Sequence, residues 1–383
     1  MNEVWIVAAK RSVQGKFLGA LAGVSAVELA VAVGNVMLES IAPDAIDQVI
    51  IGNVLGAGSG MNVARQIGVK LGLPVHVPAF TVNMMCASGM QAVMLATQAI
   101  RSGDARVVLC GGTESMSRAP YLLDRARGGY KFGDGVLIDS ILRDGLVDSF
   151  THTPMGLTAE RLADRYGISR ADQDAFAAAS QKNCAEALAG GRFKDELVSI
   201  AGFDRDEHAR ADTTAAKLAT LKPTFRENGT VTAGNASGVN DGAAMLVVCD
   251  RDTALARDWK PLAVIRGQAA VGCEPEWMGL GPVHATRKLC AQLACPVDAF
   301  DTIEINEAFA AQSIACLHEL KLDPTKVNAD GGAIAMGHPI GASGARLLVH
   351  LAHKLACGAS EHALASLCIG GGMGTAMALG CAE

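Results

Sequence analysis

Residues 86–89 read Cys86-Ala-Ser-Gly89, and residues 341–344 read Gly341-Ala-Ser-Gly344. Two further pairs stand around them in the same order. Ile50-Ile-Gly-Asn53 precedes the first and Ile303-Glu-Ile-Asn306 the second. Leu109-Cys-Gly-Gly112 follows the first, and Leu367-Cys368 with Ile369-Gly-Gly-Gly372 the second. Taken at Asn53/Asn306, Gly89/Gly344 and Leu109/Leu367, the offsets are 253, 255 and 258 residues. Ordered matches with slowly drifting offsets mark an internal duplication; independent glycine turns would have no reason to keep one spacing. The chain therefore divides into an N-terminal α/β half (1–120), an inserted loop domain (121–247) and a C-terminal α/β half (248–383).

Within the first half, Val4–Ala9, Gln48–Val54 and Arg106–Gly111 have the Val/Ile-rich make-up of buried strands. Ser25-Ala-Val-Glu28 has capping-box spacing and opens a helix to about Glu39. Cys86–Ile100 reads as a second helix. Strands that are apolar throughout and alternate with helices predict a parallel sheet covered on both faces. The insertion differs in composition. Residues 121–245 hold 15 Lys/Arg and 18 Asp/Glu, with one long helix from Ser169 to about Gly190.

Composition narrows the function classes. Of 383 residues, 50% are hydrophobic, 4% aromatic and 19% charged, and 43 are glycine. Such a chain is too apolar and too weakly charged for disorder. It contains no apolar run of the roughly 18–20 residues that cross a bilayer. A net charge of −6 argues against nucleic acid or an anionic membrane as partner. The N-terminal stretch lacks the charged and long apolar regions of a signal peptide. Eleven cysteines without CxxC pairs read as reduced thiols of a cytoplasmic protein. Lys10-Arg11 and Arg125/Arg127 read as solvated charges. His350, His353 and Cys357 read as an ordinary helix face, and no metal site is expected.

Four clusters carry reactive groups. In Val82-Asn-Met-Met-Cys86-Ala-Ser-Gly-Met-Gln91 a cysteine lies where a strand turns into a helix. A helix N-terminus lowers a thiol pKa, and small neighbours let backbone amides approach a bound carbonyl. Gly337-His338-Pro339 places an imidazole, able to take a cysteine's proton, in a glycine-walled loop. Cys368 stands at a strand end before Gly370-Gly-Gly-Met-Gly374. Asn306-Glu307 puts an amide and a carboxylate at a strand-to-helix turn, with Glu307 expected to orient Asn306 or a neighbour.

Together, and in this order, these clusters resemble the thiolase superfamily. The resemblance runs from Arg11-Ser-Val-Gln-Gly15 to Cys368-Ile-Gly-Gly-Gly-Met-Gly374 and includes Gly112-Thr-Glu-Ser-Met-Ser117 and Thr232-Ala-Gly-Asn-Ala-Ser-Gly238. It implies a duplicated five-layered αβαβα core with an inserted loop domain, assembled as a homodimer or homotetramer. It implies an acetyl-CoA C-acetyltransferase that condenses two acetyl-CoA reversibly to acetoacetyl-CoA and CoA. By the same resemblance Cys86 would carry the acyl group and His338 would activate it. Asn306 would position a water, Cys368 would exchange the α-proton, and the amides of Cys86 and Gly370 would hold the oxyanion. Leu146, Met155, Ser237, Met278 and Phe309 would surround the pantetheine of CoA. CoA thioesters are then substrates and no cofactor is expected. Pro154 stands where many biosynthetic members carry histidine, which keeps a degradative 3-ketoacyl-CoA thiolase for longer chains as the alternative. A non-catalytic thiolase-like lipid-binding protein would be expected to have lost one of these reactive residues. Ketoacyl synthases share the architecture but lack a second catalytic cysteine in this motif.

Overall fold

A computed structural model describes residues 3–382. Nine strands follow one another through its main sheet: β1 (Val4–Ser12), β2 (Gln48–Gly52), β3 (Ala79–Val82), β4 (Val107–Ser115), β5 (Asn240–Asp250), β6 (Ala263–Gly272), β7 (Thr302–Ile305), β8 (His362–Ile369) and β9 (Met373–Gly380). Their spatial order is β7-β8-β9-β6-β1-β5-β4-β2-β3. Read outward from its centre, β1-β5-β4-β2 on one side matches β6-β9-β8-β7 on the other. The repeated segments fall on equivalent elements: Asn53 and Asn306 follow β2 and β7, and Leu109 and Leu367 lie in β4 and β8. The halves join through Trp5↔Val264 and Ile6↔Ala263 of β1 and β6.

Side-chain alternation along the strands builds the layers. Val108 and Cys110 of β4, with Leu246 and Val248 of β5, face a core that also takes Ala365 and Leu367 of β8. That core is filled by α3 (Ser88–Ser102) and α8 (Ile340–Ala356). The intervening residues Val107, Leu109, Met245 and Val247 face α1 (Ala26–Met37) and α2 (Val63–Lys70) on the outside. In the other half, Leu364, Ala376 and Ala378 face α6 (Gly281–Leu293) and α7 (Ala310–Leu320). Five layers result, with two helices at the centre. Those two helices meet at the repeated glycines. A Cβ on Gly344 would stand 2.7 Å from Met90 N, and one on Gly89 would stand 2.9 Å from Ala345 N. Such distances leave no room for a side chain.

The expected parallel sheet is mixed. β2 pairs in parallel with β3 and β4, and β7 with β8, but β1–β5, β4–β5, β1–β6, β6–β9 and β8–β9 are antiparallel. The three residues between Ile369 and Met373 can only turn the chain back, since a parallel return needs a crossover of a dozen residues or more. The boundary at 247/248 also shifts. β5 runs to Asp250 and pairs with β1 and β4, so it closes the first half.

In the insertion, α4 (Met155–Tyr166) and α5 (Arg170–Ala189) pack beside the C-terminal half. Ser169 and Asp172 form a capping box at the start of α5, as Ser25 and Glu28 do at α1. The later part of the insertion is anchored by buried charge, which corrects the reading of Arg11 as solvated. Arg11 is fully buried, donating to Glu196 Oε1 at 2.6 Å and to both carboxylate oxygens of Asp206 at 2.8 and 3.0 Å. His350 lies between Glu196 (2.9 Å) and Asp330 (3.2 Å). Burial alone would lower its pKa. The carboxylates of Glu196 and Asp330 outweigh that and hold it at about 9, so it is a cation at neutral pH. His353 bonds the Ala9 carbonyl through Nε2, at 2.8 Å.

Candidate active site

Cys86 stands before α3, not within it. Helix expected from Cys86 begins at Ser88, because the preceding turn is held in another shape. Met85 has φ +49, in the left-handed region. Its N–H donates to Asn83 Oδ1 at 3.0 Å, and the Met84 N–H donates to Ser88 Oγ at 2.8 Å. The Ser88 hydroxyl in turn donates to the Met85 carbonyl at 2.7 Å. This braced turn brings the amides of Cys86 itself and of Gly370 to the thiol as hydrogen-bond donors. Gly370 reaches it because the return after β8 is made by Gly371 and Gly372, both at positive φ (+86 and +82).

The thiol was expected to be acidified by the helix terminus. Instead burial pushes it up to about 11, and the two amides recover only part of that. Desolvation of the charged form outweighs the local dipoles. An isolated Cys86 is thus a thiol at neutral pH and needs a base.

His338 is suited to that task. His338 is 6% exposed, and burial, followed by repulsion from Arg346, lowers its pKa to about 4. It is therefore neutral and able to accept a proton throughout the physiological range. Asn240 Oδ1 accepts the His338 backbone N–H at 2.9 Å, and Nδ1 lies 2.6 Å from Ser343 Oγ. Nε2 is buried without a hydrogen-bond partner among the described residues.

Asn306, directly after β7, is fully buried. Its backbone N–H donates to Ser366 O at 3.0 Å, and neither side-chain polar atom has a partner among the described residues. Two uncommitted polar atoms in such a place are poised for a ligand. Glu307 does not touch the Asn306 amide. It accepts from Ser180 Oγ (2.7 Å), Asn328 Nδ2 (2.9 Å) and the Ile334 N–H (3.1 Å), bracing the segment that leads to His338. Cys368 is the penultimate residue of β8, buried. Burial first, and then the neighbouring Cys86 sulfur, push its thiol well above the ordinary value.

A cavity opens beside these groups. His338 lines it together with Leu146, Met155, Ser237 and Phe309. Cys86 and Leu146 both pack against the apolar cluster that contains Met116 and Ile340 of the cavity wall, and a Cβ on Gly370 would stand 3.3 Å from the Met155 sulfur. Four of the five expected pantetheine contacts thus line one cavity. Met278 does not. It is 3% exposed and belongs to the core between α4, α6 and α7. Phe225, unnoticed in the sequence, forms a wall edge-to-face with Phe309, at 6.1 Å and 82°. Pro154 lines the cavity too. Glu114 was also missed, although the Gly112–Ser117 segment had been singled out. Fully buried, it accepts from Asn53 Nδ2 and from the amides of Val54, Leu55 and Gly341, tying the first half to the start of α8.

The model of the thiolase N-terminal domain matches residues 4–252 and that of the thiolase C-terminal domain residues 259–380. The chain belongs to the thiolase family. The gap between the two matches falls after β5, where the strand pairing places the end of the first half. This thiolase is 50% identical to an acetyl-CoA acetyltransferase of Pseudomonas aeruginosa and 46% identical to one of Cupriavidus necator, each over 99% of both chains. Among solved structures it superposes on the Bacillus anthracis acetyl-CoA acetyltransferase with a TM-score of 0.97 at 42% identity, covering 100% of this chain and 99% of that one. Human mitochondrial 3-ketoacyl-CoA thiolase in complex with CoA gives a TM-score of 0.97 at 41% identity, covering 100% and 98%.

Proposed function

We propose that this thiolase is an acetyl-CoA C-acetyltransferase, an acyltransferase that joins two acetyl-CoA into acetoacetyl-CoA and CoA through an acyl group held on Cys86. The observation that carries the assignment of roles is a thiol, held by two backbone amides, packed against the wall of the cavity that the neutral imidazole lines. His338 Nε2 takes the Cys86 proton. The sulfur attacks the thioester carbonyl, and the amides of Cys86 and Gly370 hold the oxyanion. A donor of that kind contributes about 3–4 kcal/mol elsewhere. CoA departs with the proton from His338. A second acetyl-CoA then enters, its thioester oxygen accepting from a water held by Asn306. Cys368, as thiolate, takes the α-proton. The enolate attacks the acyl carbon, and the Cys86 sulfur leaves and recovers a proton from Cys368. One site used twice predicts ping-pong kinetics. The thioesters carry the chemistry, and no cofactor or metal enters the scheme.

A second reading, thiolysis of longer 3-ketoacyl chains, is favoured by Pro154 in the cavity wall. The measurement that separates the two is kcat/KM for acetoacetyl-CoA against 3-ketodecanoyl-CoA. The acetyltransferase reading expects the short substrate to win by at least about 10-fold, on the scale of a pocket that discriminates by methylenes. Preference for the long chain would reverse the assignment.

We also propose that the chain works as a homodimer or homotetramer. β3 is one of the two edge strands of the sheet, with Phe80 39% exposed, and it runs directly into the Cys86 turn. An unpaired edge with an apolar side chain fits pairing with a second copy. Light scattering should give a dimeric or tetrameric mass; a monomer at micromolar concentration would contradict this. No described helix is long and apolar enough to cross a membrane. Eleven unpaired thiols fit a reducing compartment, and we place the enzyme in the cytoplasm.

A further inference from the structure

The proton on the His338 ring is decided by what lies behind it. Ser343, in the first turn of α8, is 1% exposed, and its Oγ stands between two neighbours: Pro339 O at 2.9 Å and His338 Nδ1 at 2.6 Å. Two oxygens at hydrogen-bond distance need a proton between them. A carbonyl has none, so the Ser343 hydroxyl supplies it. That commits the only proton of the hydroxyl and leaves lone pairs toward the ring. A contact of 2.6 Å to Nδ1 then requires the proton to sit on the ring nitrogen.

We propose that Ser343 is a positioning residue that holds neutral His338 as the Nδ1–H tautomer, so that the Nε2 lone pair is the one presented to the acyl site. The assignment rests on the reading of His338 as the base for Cys86. The geometry behind it is rigid at each joint. Pro339 restricts the backbone whose carbonyl receives the hydroxyl. The Ser343 amide donates to that same carbonyl at 3.0 Å, and Asn240 Oδ1 holds the His338 N–H.

The partner is a neutral hydroxyl and not a carboxylate, which has a consequence for the reaction. A carboxylate would stabilise the imidazolium and keep the proton there. Here no carboxylate among the described residues bonds the ring, and Arg346 opposes its charging. The imidazolium is therefore short-lived. The Cys86 Sγ–H proton moves to Nε2 as the new S–C bond forms. It leaves from Nε2 to the CoA sulfur as the thioester C–S bond breaks, and the Nδ1 proton stays in place throughout.

The test uses the whole enzyme labelled with 15N-histidine. Long-range 1H–15N spectra tell a neutral ring protonated at Nδ1 from one protonated at Nε2. At pH 7 the wild-type His338 is expected to show Nδ1–H. Ser343→Ala should admit the Nε2–H form and slow release of CoA from acetyl-CoA by about 10- to 100-fold, the range seen when the partner orienting a metal-bound imidazole is removed. KM should stay near wild type, and Ser343→Thr should restore both the tautomer and the rate. Should threonine not fit, the spectrum of the alanine variant decides. An Nε2–H signal in the wild type overturns the proposal, as does an alanine variant that keeps Nδ1–H with a wild-type rate. A wild-type enzyme that shows Nδ1–H but never acylates Cys86 would refute the catalytic reading and leave the tautomer assignment standing.

Discussion

With His338 replaced by alanine, transfer of the acetyl group from acetyl-CoA to Cys86 is expected to slow by about 10²–10⁴-fold at pH 7.5, the contribution of a positioned base. The cause is the thiol itself. Burial places Cys86 near 11, so without a base only a minute fraction is thiolate at neutral pH. The residual rate should therefore rise with pH as that fraction grows. The wild type should behave differently. His338 is held at about 4, below its ordinary value, so it is already neutral at pH 5 and acquires no further basic form between pH 6 and 8. Stopped-flow release of CoA should show a flat wild-type profile across that window and a rising one for His338→Ala. A wild-type rate in the variant, or a profile that falls with pH, would show that another group deprotonates Cys86.

Replacing Cys368 by alanine should split the reaction in two. Cys86 should still acquire its acetyl group at close to the wild-type rate, because the amides of Cys86 and Gly370 and the imidazole remain. Condensation, and exchange of the acetyl methyl protons with deuterated solvent, should fall by about 10²–10⁴-fold, since the base for the α-carbon is gone. Equal loss in both half-reactions would mean that Cys368 supports the structure of the site and not the proton transfer. Burial raises its thiol well above the ordinary value. The thiolate is therefore formed at a cost, which the enolate chemistry recovers only with substrate oriented against it.

Much of this was legible in the sequence, for reasons that can be named. The duplication showed because each half must repeat the same close contacts: Gly89 and Gly344 serve the mutual approach of α3 and α8, and Leu109 and Leu367 occupy matching strands. What escaped the sequence depends on partners far along the chain. Arg11 looked solvated because Glu196 and Asp206, which neutralise it, come 185 and 195 residues later. The place of β5 in the first half is hidden because its neighbours precede a long insertion, and pairing across such a distance has no local signature. The Cys86 pKa was misjudged in direction because the helix terminus is visible in sequence while the depth of burial is not. Met278 has the flexible thioether expected against a pantetheine arm, yet that same property suits it to a core, where it lies.

The central claim is that Cys86 carries the acyl group. Intact-mass analysis of the enzyme after brief incubation with acetyl-CoA, with peptide mapping, tests it most directly. One acetyl group per chain, located on Cys86, absent from Cys86→Ala and released by added CoA, is the predicted result. An acetyl group that persists when Cys86 is replaced, or a wild-type enzyme that forms acetoacetyl-CoA with no adduct at Cys86 under single-turnover conditions, would contradict it.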